Sequence, residues 1–529
     1  MINSIVRNQP RWTPVSGSLI ALVIVLLILA PTFLNQLIPL HDYSHHLART
    51  IILSDLENPI YRQYYQQGSL LLPNMAMEII AIPLTYFIGA ETASRIFVML
   101  SLLSVLFGTM MLHKAAHKRF SPWPLLASAI LFNTIFRFGF LNYIFGLGVA
   151  LFAAGLWLLM KPSLFRLLFT LLASILLIFL HFSAFGVFAV IVGSIEIHAA
   201  SIRWQHKDFK FSTLQFLLST TPFIITFVLF MLLSPTAEII EKGFAYPNYL
   251  GAKPFGALYS ILTDITWLNI AYFSSIATLF SYLLLTRRIN ISSSLSVALL
   301  LMIAALIMLP SSAMGNVFVD VRLGPAIALL FIATIDIKAT DVNINRLIAC
   351  LALILAILTS IGISNKWGEY NHQVSKIINV FDQTETGATI FSASSLPDPQ
   401  LITDTPERRA AWNPSLKHIA SYAVLYGPKF VPMTFANPQM QPLNVSDDYL
   451  AIKAFQGDNP RKTLDGAQLE IFLLEIKANL ASGMWPTLDN VYVFVIGFDR
   501  IENSFNKAML GSWAHIVELN DDHVLIKFN

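Results

Sequence analysis

Leu40-His-Asp-Tyr-Ser-His-His-Leu-Ala-Arg-Thr50 follows directly on an uncharged stretch that runs from about Val15 to Leu40. That apolar run meets the length of about 17–25 residues that one bilayer crossing takes. It is too long for a signal-peptide core and no small-residue cleavage pattern follows, so it reads as an uncleaved first span. The quoted stretch is then where the chain first leaves the bilayer, and it is dense in ionisable groups. If it is helical, Asp42, His45, His46 and Arg49 fall at i, i+3, i+4 and i+7 and share one face. A carboxylate, two imidazoles and a guanidinium then point together into one aqueous pocket.

Composition agrees with a membrane setting. Of 529 residues, 55% are hydrophobic and 12% charged, and the mean hydropathy is +0.64. A soluble protein of average composition carries about twice that charged fraction. The formal net charge of +3 gives no reason to expect a nucleic-acid partner. The single cysteine, Cys350, excludes an intrachain disulfide.

Apolar segments suited to crossing recur at 19–38, 92–112, 121–136, 139–160, 164–181, 183–199, 211–233, 266–286, 293–310, 323–337 and 346–363. The expected architecture is a polytopic α-helical membrane domain of about 11–13 spans. With the N-terminus in the cytoplasm, His113–Arg119, Lys161–Arg166, Arg203–Lys210, Arg287-Arg288 and Lys338–Arg346 all become inner loops, as the positive-inside rule requires. This holds if 71–89 does not cross fully; letting it cross and merging 121–160 into one span puts His113–Arg119 outside. Either version places the first loop 39–70, the loop 234–265, the short loop around Asp320 and the C-terminus on the outer face.

From about Asn365 onward charges, Pro, Asn and Asp become frequent and no spanning run remains. The expected division is a membrane domain over 1–364 and a soluble extracytoplasmic mixed α/β domain over 365–529. Gly387–Ser392, Asn490–Gly497 and His523–Phe528 read as strands, and 414–426 and 464–482 as helices.

No Walker loop, GxGxxG in a βαβ setting, HExxH, CxxC or GxSxG occurs, which argues against an ATP-driven pump. The chemistry-bearing residues sit instead at the expected outer boundary. Asp42 is the candidate general base, because a carboxylate against apolar surface can be tuned toward neutral pH and take a proton from a hydroxyl; the plainer reading is a helix cap bridged to Arg49. His45 and His46 suit a metal or a phosphate, although Asp-x-x-His-His is a weak metal signal and interfacial histidines without function are common. Glu78, four residues after Asn74 in an apolar segment, is costly to bury unless functional or paired with Arg49 or Arg95. Arg137, Asn142, Tyr143, His181, Asp320 and Arg322 fall at outer span ends. Arg322 is the preferred phosphate ligand, since a guanidinium fork stays charged and bonds bidentately; a structural bridge to Asp320 or Asp42 is the alternative. Glu196 reads as structural. Lys242, Lys253, Tyr246 and Tyr249 lie in the 234–265 loop, where a mobile substrate gate is expected.

His-Asp-Tyr-x-x-His-x-x-Arg over 41–49, Leu72-Pro-Asn74 with Glu78, Phe138-Gly-Phe-Leu-Asn-Tyr143, His181 and Val319-Asp-Val-Arg-Leu323 resemble a group of bacterial membrane proteins laid out like the GT-C class of integral membrane glycosyltransferases. In the soluble part His418-Ile-Ala-Ser-Tyr-Ala-Val and Phe435-Ala-x-Pro-x-x-Gln441-Pro-Leu fit the same group. The resemblance implies a GT-C-like fold and transfer of a sugar from a polyprenyl-phosphate-linked donor to a glycan, lipid or protein acceptor, on the outer side of the cytoplasmic membrane. It assigns the acidic position of the first outer loop, here Asp42, to the catalytic base or metal-proximal carboxylate. Arg49, Arg322, His45, His46, Glu78, His181, Asn74 and Asp320 are then the expected substrate- and phosphate-binding residues. Where the class often has adjacent acidic residues, this chain has His41-Asp42-Tyr43. The sequence is compatible with a divalent cation without requiring one, and no other cofactor is indicated. Three other readings stand beside this one: a polysaccharide polymerase or ligase, which typically has paired outer arginines and a large outer loop, a transporter, whose ionisable groups lie near the midplane, and a non-catalytic assembly protein.

Overall fold

The computed structural model describes residues 14–205, 209–246, 251–313, 316–337, 342–396 and 414–529. Among them are six helices long and apolar enough to cross a membrane: Ala90–His117, Leu141–Leu159, Phe182–Gln205, Thr213–Leu233, Thr266–Leu285 and Asn343–Gln383. Shorter apolar helices occupy Ser18–Leu34, Ala76–Ile88, Leu164–Leu180, Ser293–Met308 and Leu323–Thr334. The protein is a multi-pass helical membrane protein with a C-terminal sheet domain.

The segment 121–136 differs from expectation. It forms a 3-10 helix over Trp123–Ile130 and a single turn at Thr134–Arg137 in place of a span. Pro122 and Pro124 remove backbone donors, and 3-10 geometry accommodates the result. Residues 122–136 are buried, and irregular backbone is tolerated at such apolarity only where protein surrounds it. Ala76–Ile88 has 13 residues, roughly 20 Å at about 1.5 Å per residue, well short of a hydrocarbon core of about 30 Å.

The chain packs as two compact units. The first comprises residues up to Leu34, Val98–Phe136 and Leu141–Lys366. Within it, Phe182–Gln205 packs against Leu141–Leu159, the 209–233 helix and Ser293–Met308. The contact of Ala90–His117 with Leu141–Leu159 is a seam of small residues: a Cβ on Gly148 would run into the Ser104 backbone, one on Gly108 into the Gly148 carbonyl, and one on Gly155 into Leu112 and Met111. Apolar helices gain nothing from desolvation inside lipid, so close backbone approach through small residues is what holds such a pair.

The second unit comprises Asn35–Phe97, Arg137–Phe140 and Trp367–Asn529. Its five-stranded sheet runs in the order Ala514–Leu519, His523–Phe528, Val491–Ile496, Thr389–Ser394, Arg461–Lys462. The first three strands pair antiparallel and the last two join in parallel. Val491–Ile496 and Thr389–Ser394 are buried along their whole length, as parallel strands covered on both faces are. Gly466–Ala481 forms the helix anticipated over 464–482, started by Asp465, whose side chain accepts from the Gln468 amide at 2.8 Å. The expected 414–426 helix is instead two 3-10 segments, Pro414–Leu416 and Ile419–Tyr426.

The first loop belongs to this unit. Tyr65–Gln67 pairs antiparallel with Leu443–Val445. The Tyr64 ring stacks on Phe430, with centroids 4.7 Å apart and planes 3° from parallel. Ser415 donates to the Pro39 carbonyl at 2.7 Å, and Ser44 to the His418 carbonyl at 2.8 Å.

Gly148→Leu is expected to force the small-residue seam apart. The check is the unfolding temperature of the purified variant in detergent, which should fall by several degrees or accompany loss of monodisperse protein; an unchanged value would contradict the seam as described.

Candidate functional site

The helix expected from the 41–49 pattern forms, over Tyr43–Ser54, with Asp42 as the residue that precedes it. The Asp42 carboxylate makes no capping bond, so neither the cap nor the Arg49 bridge of the plainer reading is its role. Its Oδ1 lies 3.4 Å from His418 Nδ1 and 3.9 Å from His41 Nε2. The backbone around it is set by Phe138-Gly139-Phe140: the His41 amide donates to the Arg137 carbonyl at 2.9 Å and the Asp42 amide to the Phe138 carbonyl at 3.3 Å. Gly139 has φ +84°, and a Cβ there would stand 2.8 Å from the Asp42 nitrogen. Only glycine meets both the left-handed backbone and the close approach.

Burial pushes the Asp42 carboxyl up. The hydrogen bond from His418 and the positive fields of His41 and His418 outweigh that effect and hold it below its ordinary value. The direction is opposite to the expected tuning toward neutral pH, so Asp42 is ionised at neutrality.

Arg49 is fully buried and surrounded by acceptors. Its Nε donates to Glu78 Oε1 at 2.6 Å, its Nη1 to Gln441 Oε1 at 2.5 Å and its Nη2 to His46 Nδ1 at 3.0 Å. Nη2 also forms an ion pair with Glu78. Arginine can only donate, so His46 Nδ1 accepts, its proton sits on Nε2, and Nε2–H donates to the Gly139 carbonyl at 3.2 Å. Burial first and the Arg49 charge second push His46 down to about 4, consistent with the neutral tautomer. Asn74 holds a left-handed conformation, φ 70°, which asparagine tolerates better than most residues; it turns the chain into the helix that carries Glu78. Arg49 and Glu78 therefore form an internal pair, and the expected phosphate contacts for Arg49 and His46 have their hydrogen-bonding groups committed elsewhere.

His45 is buried as well. Its Nδ1 is 2.9 Å from Ser421 Oγ, and its ring stacks on Phe435 at 3.9 Å and lies 4.2 Å from that of His418. Burial and the neighbouring His418 hold its pKa well below the ordinary histidine value. His418, Ser421, Phe435 and Gln441 carried no assigned role in the sequence reading, although two of the motifs quoted there contain them.

In the other unit, His181 breaks the backbone between Leu164–Leu180 and Phe182–Gln205. Its Nε2 is 3.3 Å from Arg322 Nη1, and its Nδ1 accepts from the Ser183 amide at 3.1 Å. Arg322 also donates from Nη2 to the Val317 carbonyl at 3.2 Å, and its own carbonyl accepts from the Tyr143 hydroxyl. Asp320 accepts from Ser311 at 2.7 Å and from the Val321 amide at 2.9 Å, with Lys253 Nζ at 4.0 Å. Lys253 donates to the carbonyls of Leu306, Ile307 and Leu309, capping the end of Ser293–Met308 as a cation suits a helix C-terminus. The expected mobile gate thus contains an anchored helix, Ala252–Ser260; the Lys242 side chain and Tyr249 lie outside the described residues. Glu196 pairs with Arg166 at 2.9 Å and Arg203 at 3.5 Å, as a structural residue does.

No protein-family model matches the sequence, and no curated protein matches it. Among solved structures, the fold matches the crystal structure of ArnT from Cupriavidus metallidurans bound to undecaprenyl phosphate, with a TM-score of 0.52 and 8% identity over 96% of this chain and 97% of that one. The apo form of the same protein matches with a TM-score of 0.50 and 9% identity over 97% of each chain. At this identity the likeness shows a shared fold, that of the GT-C type.

Removing one member of a buried ion pair costs about 3–5 kcal/mol because its partner is left charged and uncompensated. Arg49→Met should therefore destabilise the protein on that scale, and Arg49→Met with Glu78→Leu should recover part of the loss. Equilibrium or thermal unfolding of the unsubstituted protein, Arg49→Met, Glu78→Leu and the double variant measures it; additive losses would rule out the coupling.

Proposed function

We propose that this GT-C-fold chain is a membrane glycosyltransferase that moves a sugar from a polyprenyl-phosphate-linked donor to an acceptor hydroxyl on the outer side of the cytoplasmic membrane. The observation that carries the reading is Asp42: an ionised carboxylate in the stretch that follows the first apolar helix, set beside His41 and His418. Support comes from a fold shared with a GT-C protein that binds undecaprenyl phosphate. In this reading 1–364 is the membrane domain, with a cytoplasmic N-terminus, and 365–529 is extracytoplasmic.

The reaction breaks the bond between the sugar C1 and the lipid-phosphate oxygen and forms one between C1 and the acceptor oxygen. The acceptor proton passes to Asp42, and the electron pair of the broken bond leaves with the phosphate. A carboxylate held below its ordinary pKa is a weak base, so orientation of the hydroxyl and stabilisation of positive charge at C1 are the larger part of its contribution. Arg322, with His181 against its guanidinium and Asp320 two residues before it, is assigned to the charge on the departing phosphate. Arg49, Glu78 and Asn74 position the Asp42 segment rather than touch substrate. His45 and His46 are neutral elements of the same support.

Asp42→Asn in membranes assayed with labelled polyprenyl-phosphate sugars should lower transfer by about 10²–10⁴-fold, the usual worth of a positioned acid–base group. Transfer at the unsubstituted rate would remove Asp42 from the mechanism.

A further inference from the structure

We propose that the outward face of the Gly466–Ala481 helix is where two copies of this chain meet, the two helices running antiparallel about a twofold axis between Ile471 and Leu474. The helix is apolar on opposite sides. Leu469, Phe472, Leu473 and Ile476 are buried on its inner side. On the other side Ala467, Ile471, Leu474, Ala478 and Ala481 are exposed, Ile471 by 55% and Leu474 by 48%. Their alternating spacing of four and three residues is that of a coiled-coil seam, and at about 100° per residue all five fall within about 80° of arc. A helix with apolar residues all round is one that protein covers on both sides, and the described residues cover only the inner one.

The residues that border the stripe select the partner and its direction. Gln468 and Glu475 lie along one border and Glu470 and Lys477 along the other, so the setting is aqueous and not hydrocarbon. Border charges of this kind set partner choice and orientation in helix pairs. A parallel pair would place each Glu470 opposite Glu475 of the second copy, a like-charge contact. An antiparallel pair places border residues opposite those of the same border, so Glu470 meets Lys477 of the second copy, twice by symmetry. The seam residues then match as well, Ile471 against Leu474 and Ala467 against Ala478, and the alanines let the helix axes come close. Glu470 Oε1 accepts from the Asn506 amide at 2.8 Å, which orients the carboxylate and leaves Oε2 for the second copy. Lys477 Nζ is held over the Trp513 ring, 4.5 Å from its centroid. Two chains confined to one bilayer meet at a raised effective concentration, so a seam of 16 residues can suffice. This inference does not depend on the glycosyl-transfer reading.

The test uses the full-length chain in the membranes of expressing cells, with Cys350, an exposed thiol, replaced by serine. Ala467→Cys and Ala478→Cys are expressed singly and together, oxidised with copper phenanthroline, and read as dimer on non-reducing gels. Antiparallel pairing brings position 467 of one copy to position 478 of the other. The two copies of position 467 then lie roughly 16 Å apart along the seam, at about 1.5 Å per residue, whereas a disulfide joins Cα atoms within about 7 Å. We expect cross-linked dimer only when the two variants are co-expressed. Glu470→Lys added to both should cut the yield several-fold, because like charges then face each other, and Glu470→Lys with Lys477→Glu should restore it. Self-cross-linking of either variant alone would overturn the antiparallel pairing. Absence of cross-linked dimer from the co-expressed variants, both present in the membrane at the level of the unsubstituted chain, would overturn the interface and leave the stripe to a different partner. No sugar donor enters these readouts, so loss of the transferase reading would leave the interface standing.

Discussion

The buried guanidinium of Arg49 is the constraint on which this region depends. A charge without solvent must be matched on every side, and Arg49 is matched by Glu78 from the short helix after Leu72-Pro-Asn74, by Gln441 from the C-terminal part and by His46 from its own helix. Four stretches distant in sequence are thereby tied together, because His46 passes the constraint on to the Gly139 carbonyl. A buried ion pair is costly to break and adds little net stability, so its consequence here is positional. Here the arrangement specified is the position of the first loop.

Asp42 follows from that position. The Tyr43–Ser54 helix begins one residue after it, Gly139 allows the 137–140 backbone to lie against it, and Ser44 and Ser415 hold the His418 segment above it. The carboxylate is left outside the hydrogen bonds of its own helix and turned toward two imidazoles. Preorganisation of this kind, with a charged group fixed by its neighbours before any substrate arrives, is what electrostatic stabilisation of a reacting centre requires.

Much of this fold was legible in the residues. The apolar runs, the change of character near Asn365 and the strand Val491–Ile496 follow from composition and periodicity alone. The segment 121–136 has the sequence of a span but not its structure, because burial in protein and burial in lipid select the same apolar residues; Pro122 and Pro124 carry the difference. In the 41–49 stretch the helical spacing placed Asp42 and Arg49 on one face, but spacing gives a direction and not a partner. Arg49 found Glu78, and Asp42, lying before the first helical turn, left that face altogether. His418 was out of reach because its contact with Asp42 spans most of the chain and no local pattern carries it.

A protein that handles a polyprenyl-phosphate-linked substrate should carry that lipid through purification. Mass spectrometry of lipids retained by the full-length protein, purified in mild detergent beside a control membrane protein of different fold, should find a polyprenyl phosphate or its glycosylated form enriched on this chain. A lipid profile indistinguishable from that of the control, with bulk phospholipid alone, would contradict a polyprenyl-phosphate-linked substrate.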